Sequence, residues 1–118
     1  MNKNLPLWKR LHNAGCGFTA ALCREANFRI QLVLGAVAIA VTVALNPPLV
    51  WIALVVIMIG AVLAAELINT AIEHTLDVVH ADQSPLVKIA KDCSAAAVLT
   101  LSVSAVGVFV LMIIAKRY

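Results

Sequence analysis

Charge is what this chain has least of. Residues 30 to 65 contain no Asp, Glu, Lys or Arg, and residues 93 to 115 contain none either. Only 13% of the 118 residues are charged while 63% are hydrophobic, and the mean hydropathy is +0.99. That balance excludes an ordinary water-soluble domain and reads as a membrane protein. Both uncharged runs exceed the roughly 20 apolar residues that span a bilayer. Because the first run begins only at residue 30, behind a longer amphipathic segment, no cleavable signal peptide is expected. The three cysteines, Cys16, Cys23 and Cys93, are an odd number without metal-site spacing and read as small apolar packers. His12, His74 and His80 form no pair one helical turn apart, which argues against zinc. There is no internal repeat and no low-complexity tail.

What is present divides the chain cleanly. Asn46-Pro47-Pro48 interrupts the first apolar run, since two prolines remove backbone donors and disfavour helix just before them. The sequence therefore predicts a single all-α membrane domain over 1–118, with spans at about 29–46, 49–76 and 93–115. Ser84 as N-cap and Pro85 at the first helical position start the third helix after the polar Asp82-Gln83-Ser84-Pro85 turn. Ahead of the spans, Leu7, Leu11, Gly15, Phe18 and Leu22 share one helical face, and Lys9, Arg10, Asn13 and Arg24 fall elsewhere. Residues about 5–26 are thus expected to form an amphipathic helix lying in the membrane interface. With a cytoplasmic N-terminus, Lys3, Lys9, Arg10, Arg24, Arg29, Lys88 and Lys91 lie inside and only Lys116 and Arg117 outside, a seven-to-two bias that favours this orientation. The formal net charge of +3 then needs no nucleic acid, because anionic headgroups and a phosphorylated ligand would both meet these residues.

Against this apolar background one stretch stands out, Ala64-Ala65-Glu66-Leu67-Ile68-Asn69-Thr70-Ala71-Ile72-Glu73-His74-Thr75-Leu76-Asp77. On a helix Glu66, Asn69, Glu73 and Asp77 fall at about 0°, −60°, −20° and +20°, a single narrow stripe. A carboxylate at membrane depth costs about 3 kcal/mol on insertion scales, and intramembrane ionisable residues mark functional sites by default. Interhelical hydrogen bonding explains Asn69 well, but three acids on one stripe exceed what packing requires.

Further charges gather near the same level. Arg24-Glu25 and Arg29 end the interfacial helix and open the first span, and Lys91-Asp92 precede the small-residue run Ser94-Ala95-Ala96-Ala97. Lys88 is expected to snorkel to headgroups, and Lys91, at the edge of the apolar zone, suits a bound phosphate. Carboxylates without supporting His or Cys favour hard cations, and Mg²⁺ is commonly held by one or two carboxylates plus substrate phosphates. Glu25 and Glu73 fit that role with ATP oxygens. Glu66, about two turns deeper, is then placed as a general base for a lipid hydroxyl. No Ser, Cys or His has the neighbourhood of an activated nucleophile, so direct in-line transfer is expected.

Three segments carry a family resemblance: Glu25-Ala-Asn-Phe-Arg29; Ala65-Glu66-Leu-Ile-Asn69-Thr-Ala-Ile-Glu73; and Ala90-Lys91-Asp92 with the small-residue run through Ala97-Val98-Leu99. They resemble the small bacterial integral-membrane diacylglycerol kinases, a family that includes undecaprenol kinases, and the likeness covers nearly the whole chain. Neither a Gly-x-x-x-x-Gly-Lys loop nor a Gly-x-Gly-x-x-Gly loop is present, and that family lacks both. The resemblance implies a homotrimer in the bacterial cytoplasmic (inner) membrane, with active sites between subunits at the cytoplasmic surface. It implies transfer of the γ-phosphate of Mg-ATP to diacylglycerol, giving phosphatidic acid, with undecaprenol as the second acceptor. By motif position, Glu66 would be the base and Asn69 would position catalytic groups. Glu25 and Glu73 would hold the metal, Lys91 and Asp92 would contact nucleotide, and Arg29 would lie at the site's edge. Gly60-x-x-x-Ala64 and Ala61-x-x-x-Ala65 offer close-packing surfaces for neighbouring helices. The chain departs from the enteric type of member at two places. It has Ile30-Gln31 where a carboxylate tends to follow the arginine, and Ala95 where a serine tends to stand. Asn27-Phe28-Arg29-Ile30 is closer to the undecaprenol kinase branch.

A reading from another class is a small oligomeric ion or proton channel lined by Glu66, Glu73 and Asp77. Such a stripe must cross the bilayer, whereas Leu49 to Ala65 offers only Trp51 as a polar handle. A regulatory interaction protein would leave the acid cluster without purpose.

Overall fold

The computed structural model describes residues 4–79 and 84–116, and these form four α-helices: α1 (Leu7–Arg24), α2 (Ala26–Leu45), α3 (Leu49–Val79) and α4 (Pro85–Lys116). Three of them, α2, α3 and α4, are long and apolar enough to cross a membrane, so the architecture is the all-α one that the sequence implies. Asp82 and Gln83 of the expected turn, and His80, lie outside the described residues.

Local chemistry sets each boundary. Pro6 is extended, and its carbonyl accepts from the Lys9 and Arg10 amides to start α1. Between α1 and α2 only Glu25 leaves the helical region, at φ −110°, ψ 108°, while its amide still donates to the Ala21 carbonyl at 2.9 Å. The result is a one-residue elbow. Arg29 braces it from the far side, its guanidinium donating to the Leu22 and Cys23 carbonyls at 2.9 and 3.2 Å, groups that end a helix without intrahelical partners. α2 ends where Asn46 turns left-handed (φ 48°), its amide donating to the Thr42 and Val43 carbonyls, and Pro47-Pro48 prevent continuation. At the start of α4, Ser84 Oγ accepts from the Leu86 amide at 3.3 Å.

At 31 residues α3 is about 46 Å long by the usual helical rise, against a hydrocarbon layer of about 30 Å. It is thus several turns longer than one span needs, and its charged residues, Glu66, Glu73 and Asp77, all lie in its C-terminal half. α2 and α4 pack mainly on α3, and α1 folds against α2 and α3. Buried positions recur every seven residues: Phe28, Gly35 and Thr42 on α2, and Val55 and Val62 on α3, with Glu66 one turn on. Gly35 permits the α2–α3 approach, since a Cβ there would lie 2.9 Å from Ile59 Cγ2. Phe28 is fully buried and meets Phe18 of α1 edge-to-face, ring centroids 5.0 Å apart, which joins the amphipathic helix to the spans.

The core is thin. Ile30, Val33, Leu34 and Val37 on α2, and Leu99, Val103 and Val106 on α4, stay exposed, as expected where lipid chains supply the apolar surroundings. Leu7, Leu11, Phe18 and Leu22 on α1 are exposed too, so the apolar face of that helix is largely uncovered in one chain.

Candidate active site

Two elements bring the acids together. α3 presents Glu66, Asn69, Glu73 and Asp77 along one face, and the elbow between α1 and α2 places Glu25 against that face. Glu66 is buried, 6% exposed, and lies within electrostatic reach of both Glu25 and Glu73. Glu73 in turn acts on Lys91 across the α3–α4 contact. Glu25, Glu66, Glu73 and Lys91, picked from three separate segments of sequence, thus form one electrostatic neighbourhood.

Asn69 sits between these carboxylates on the helix, and its Oδ1 is buried without a hydrogen-bond partner. A buried acceptor left unpaired costs about 1–3 kcal/mol, so it marks a position that a bound group or cation would satisfy. Among the described residues no three His, Cys, Asp or Glu side chains converge as a closed metal cage. Glu25 and Glu73, the two carboxylates that act on Glu66, are hard oxygen donors, the type that holds Mg²⁺ together with oxygens of a ligand.

The remaining charges are placed less simply. Lys91 Nζ donates to Asp77 Oδ1 at 2.6 Å, so the aspartate at the water end of the stripe is a partner for the candidate phosphate-binding lysine. Lys88, expected to snorkel, instead donates to Asp92 Oδ2 at 2.6 Å one turn along α4. Both pairs are exposed enough to exchange partners at little cost. Arg29 spends its guanidinium on the α1 carbonyls and not on the carboxylates, which puts it at the elbow beside Glu25.

Two features were not anticipated. His74 Nε2 lies 3.4 Å from Glu25 Oε1 and ties the elbow to α3. Gln31, on α2, lies beside Glu66 as a hydrogen-bonding neighbour, and its Nε2 also donates to Ser102 Oγ of α4 at 3.4 Å. The signal for the first is a histidine next to Glu73 at a helix end; for the second it is a lone carboxamide in an otherwise apolar span. Below Gln31, α2, α3 and α4 line a half-open cavity of about 340 Å³ whose polar lining residues, among those described, are Gln31 and Ser102. Val62, one turn from Glu66, lines it as well.

Residues 12–113 match the sequence model of the prokaryotic diacylglycerol kinase family. Over 96 residues the chain is 30% identical to the undecaprenol kinase of Bacillus subtilis, covering 81% of this chain and 78% of that protein. It is 40% identical over 93 residues to a diacylglycerol kinase of Pseudomonas aeruginosa, covering 75% and 76%. A diacylglycerol kinase of Synechocystis is 35% identical over 94 residues, a match that spans 79% of this chain but only 54% of that longer protein. On a family match that runs through all three spans and the whole acid stripe, the chain belongs to the prokaryotic diacylglycerol kinase family.

Proposed function

We propose that this protein is an ATP-dependent lipid kinase that transfers a γ-phosphoryl group to the hydroxyl of a membrane lipid, with diacylglycerol as first acceptor and undecaprenol as second. The observation that carries the reading is a buried Glu66 within electrostatic reach of Glu25 and Glu73, at the point where apolar helices give way to charged ends. A soluble phosphate donor and an apolar alcohol both have access to such a place.

In this reading the acceptor hydroxyl gives its proton to the Glu66 carboxylate while its oxygen attacks the γ-phosphorus, and the bond to the β-phosphate oxygen breaks to release ADP. Asn69 supplies a carboxamide to orient the groups around Glu66. Lys91 leaves Asp77 for nucleotide phosphate, and Asp92, released from Lys88, faces the nucleotide beside it. Arg29 keeps the elbow, and with it Glu25, in place. Glu25 and Glu73 would hold Mg²⁺, which when bound neutralises phosphate charge and keeps the transferred group in line. Catalysis is then mostly positioning and charge compensation. We further place the protein in the bacterial inner membrane with its N-terminus cytoplasmic, as a homotrimer whose neighbouring subunits cover the apolar faces left open in one chain.

The acceptor is decided by turnover of purified protein with diacylglycerol and with undecaprenol at equal mole fraction in the same micelle. A preference of about ten-fold, worth about 1.4 kcal/mol of differential transition-state binding, assigns the natural lipid. ADP release that does not depend on either alcohol overturns the reading.

A further inference from the structure

Hydroxyls in the spans mostly satisfy themselves. Thr42 Oγ1 donates to the Ala38 carbonyl at 2.7 Å, Thr100 to Ala96 at 2.8 Å and Ser104 to Thr100 at 2.9 Å, each on its own helix, as isolated hydroxyls in apolar helices do. Gln31 and Ser102 behave differently, reaching from α2 to α4 across a separation of 71 residues. A carboxamide carries two N–H donors on one nitrogen. One is directed at Ser102, and the Glu66 carboxylate lies beside the same group. Gln31 and Ser102 form the polar lining of the cavity, and Glu66 lies beside Gln31, so one side chain from each spanning helix meets at this carboxamide.

A buried carboxylate on a long side chain has several rotamers, and a base works only when its oxygen faces the proton it takes. We propose that Gln31 is a positioning residue of the reaction: anchored on Ser102, its carboxamide holds the Glu66 carboxylate in the orientation that meets the acceptor hydroxyl at the polar end of the cavity. This rests on the assignment of Glu66 as the base. It adds a role for α4 in catalysis at a depth well below Lys91, and explains why an otherwise apolar stretch of α2 keeps a carboxamide.

Gln31→Met keeps the length and apolar body of the side chain and removes only the amide, so folding is expected to survive. The test is a cycle of wild type, Gln31→Met, Glu66→Gln and the double variant. Each full-length protein is assayed in micelles holding both diacylglycerol and undecaprenol, with labelled Mg-ATP. Losing one hydrogen bond to a charged group lowers kcat by about ten-fold, equivalent to about 1.4 kcal/mol, with KM for ATP within about two-fold of wild type. In the Glu66→Gln background the same change causes no further loss, because the group it orients is no longer a base. Wild-type kcat for Gln31→Met, or an equal loss in both backgrounds, overturns the positioning role while leaving Glu66 in place. Wild-type kcat for Glu66→Gln overturns the base and this proposal with it. Should Gln31→Met not accumulate as folded protein, Ser102→Ala carries the test: a few-fold lower kcat at unchanged KM for ATP supports the anchor, and wild-type kcat removes it.

Discussion

Glu66→Gln separates catalysis from folding, because it should move them in opposite directions. The carboxylate is 6% exposed and has two further carboxylates, Glu25 and Glu73, acting on it. For stability this is an adverse site: an acid at membrane depth costs about 3 kcal/mol on insertion scales. Glutamine has the same shape, carries no charge, and can still meet the Gln31 carboxamide. Neutralisation therefore removes desolvation and repulsion without opening a cavity, and thermal unfolding in detergent should occur at the wild-type temperature or above. Turnover should fall by about 10² or more, the scale of general-base removal. Nucleotide affinity should stay close to wild type, since Lys91 and Asp92 are untouched. The assay is ADP release with saturating lipid, paired with an unfolding curve on the same preparation. Wild-type turnover refutes the role of Glu66 as base. A lowered unfolding temperature accompanying the loss refutes the argument that the acid is kept at the expense of stability.

Three further changes test the frame around it. Gly35→Val places branched carbons where even a Cβ would lie 2.9 Å from Ile59 Cγ2, so α2 must move off α3; a destabilisation of about 1–3 kcal/mol is expected in unfolding experiments, and a wild-type curve would contradict the packing described. Asp77→Asn removes the partner of Lys91 from a pair whose side chains are 60% and 37% exposed, so stability should change by less than about 1 kcal/mol. Lys91→Ala, in contrast, should raise KM for ATP by about ten-fold or more while leaving the unfolding temperature alone, and equal KM values for the two variants would contradict separate roles.

The parts of this molecule that follow from local periodicity were legible in the sequence. Glu66, Asn69, Glu73 and Asp77 fall on one face because a helix repeats every 3.6 residues, and α3 presents them so. Pro47-Pro48 marked the end of α2 because proline acts on its own backbone, while the left-handed Asn46 that closes the helix came only with the structure. Partnerships across helices were not legible. Lys91 and Asp92 are neighbours in sequence, yet adjacent residues on a helix point about 100° apart, and each bonds elsewhere. The elbow at Glu25 carries no glycine or proline to announce it; its carbonyls are satisfied by Arg29 and its carboxylate meets His74. Gln31 and Ser102 meet only because α2 and α4 both lean on α3, a fact of packing and not of pattern.

Phosphoryl transfer to a lipid alcohol is observed by following the label itself. Purified protein is incubated with γ-labelled ATP and Mg²⁺ in micelles with or without diacylglycerol or undecaprenol, and the organic extract is counted. Label is expected in a lipid monophosphate only when an alcohol is present, and at least about 10² less with Glu66→Gln. Labelled inorganic phosphate released at the same rate without any alcohol, and none in the lipid phase, would contradict it.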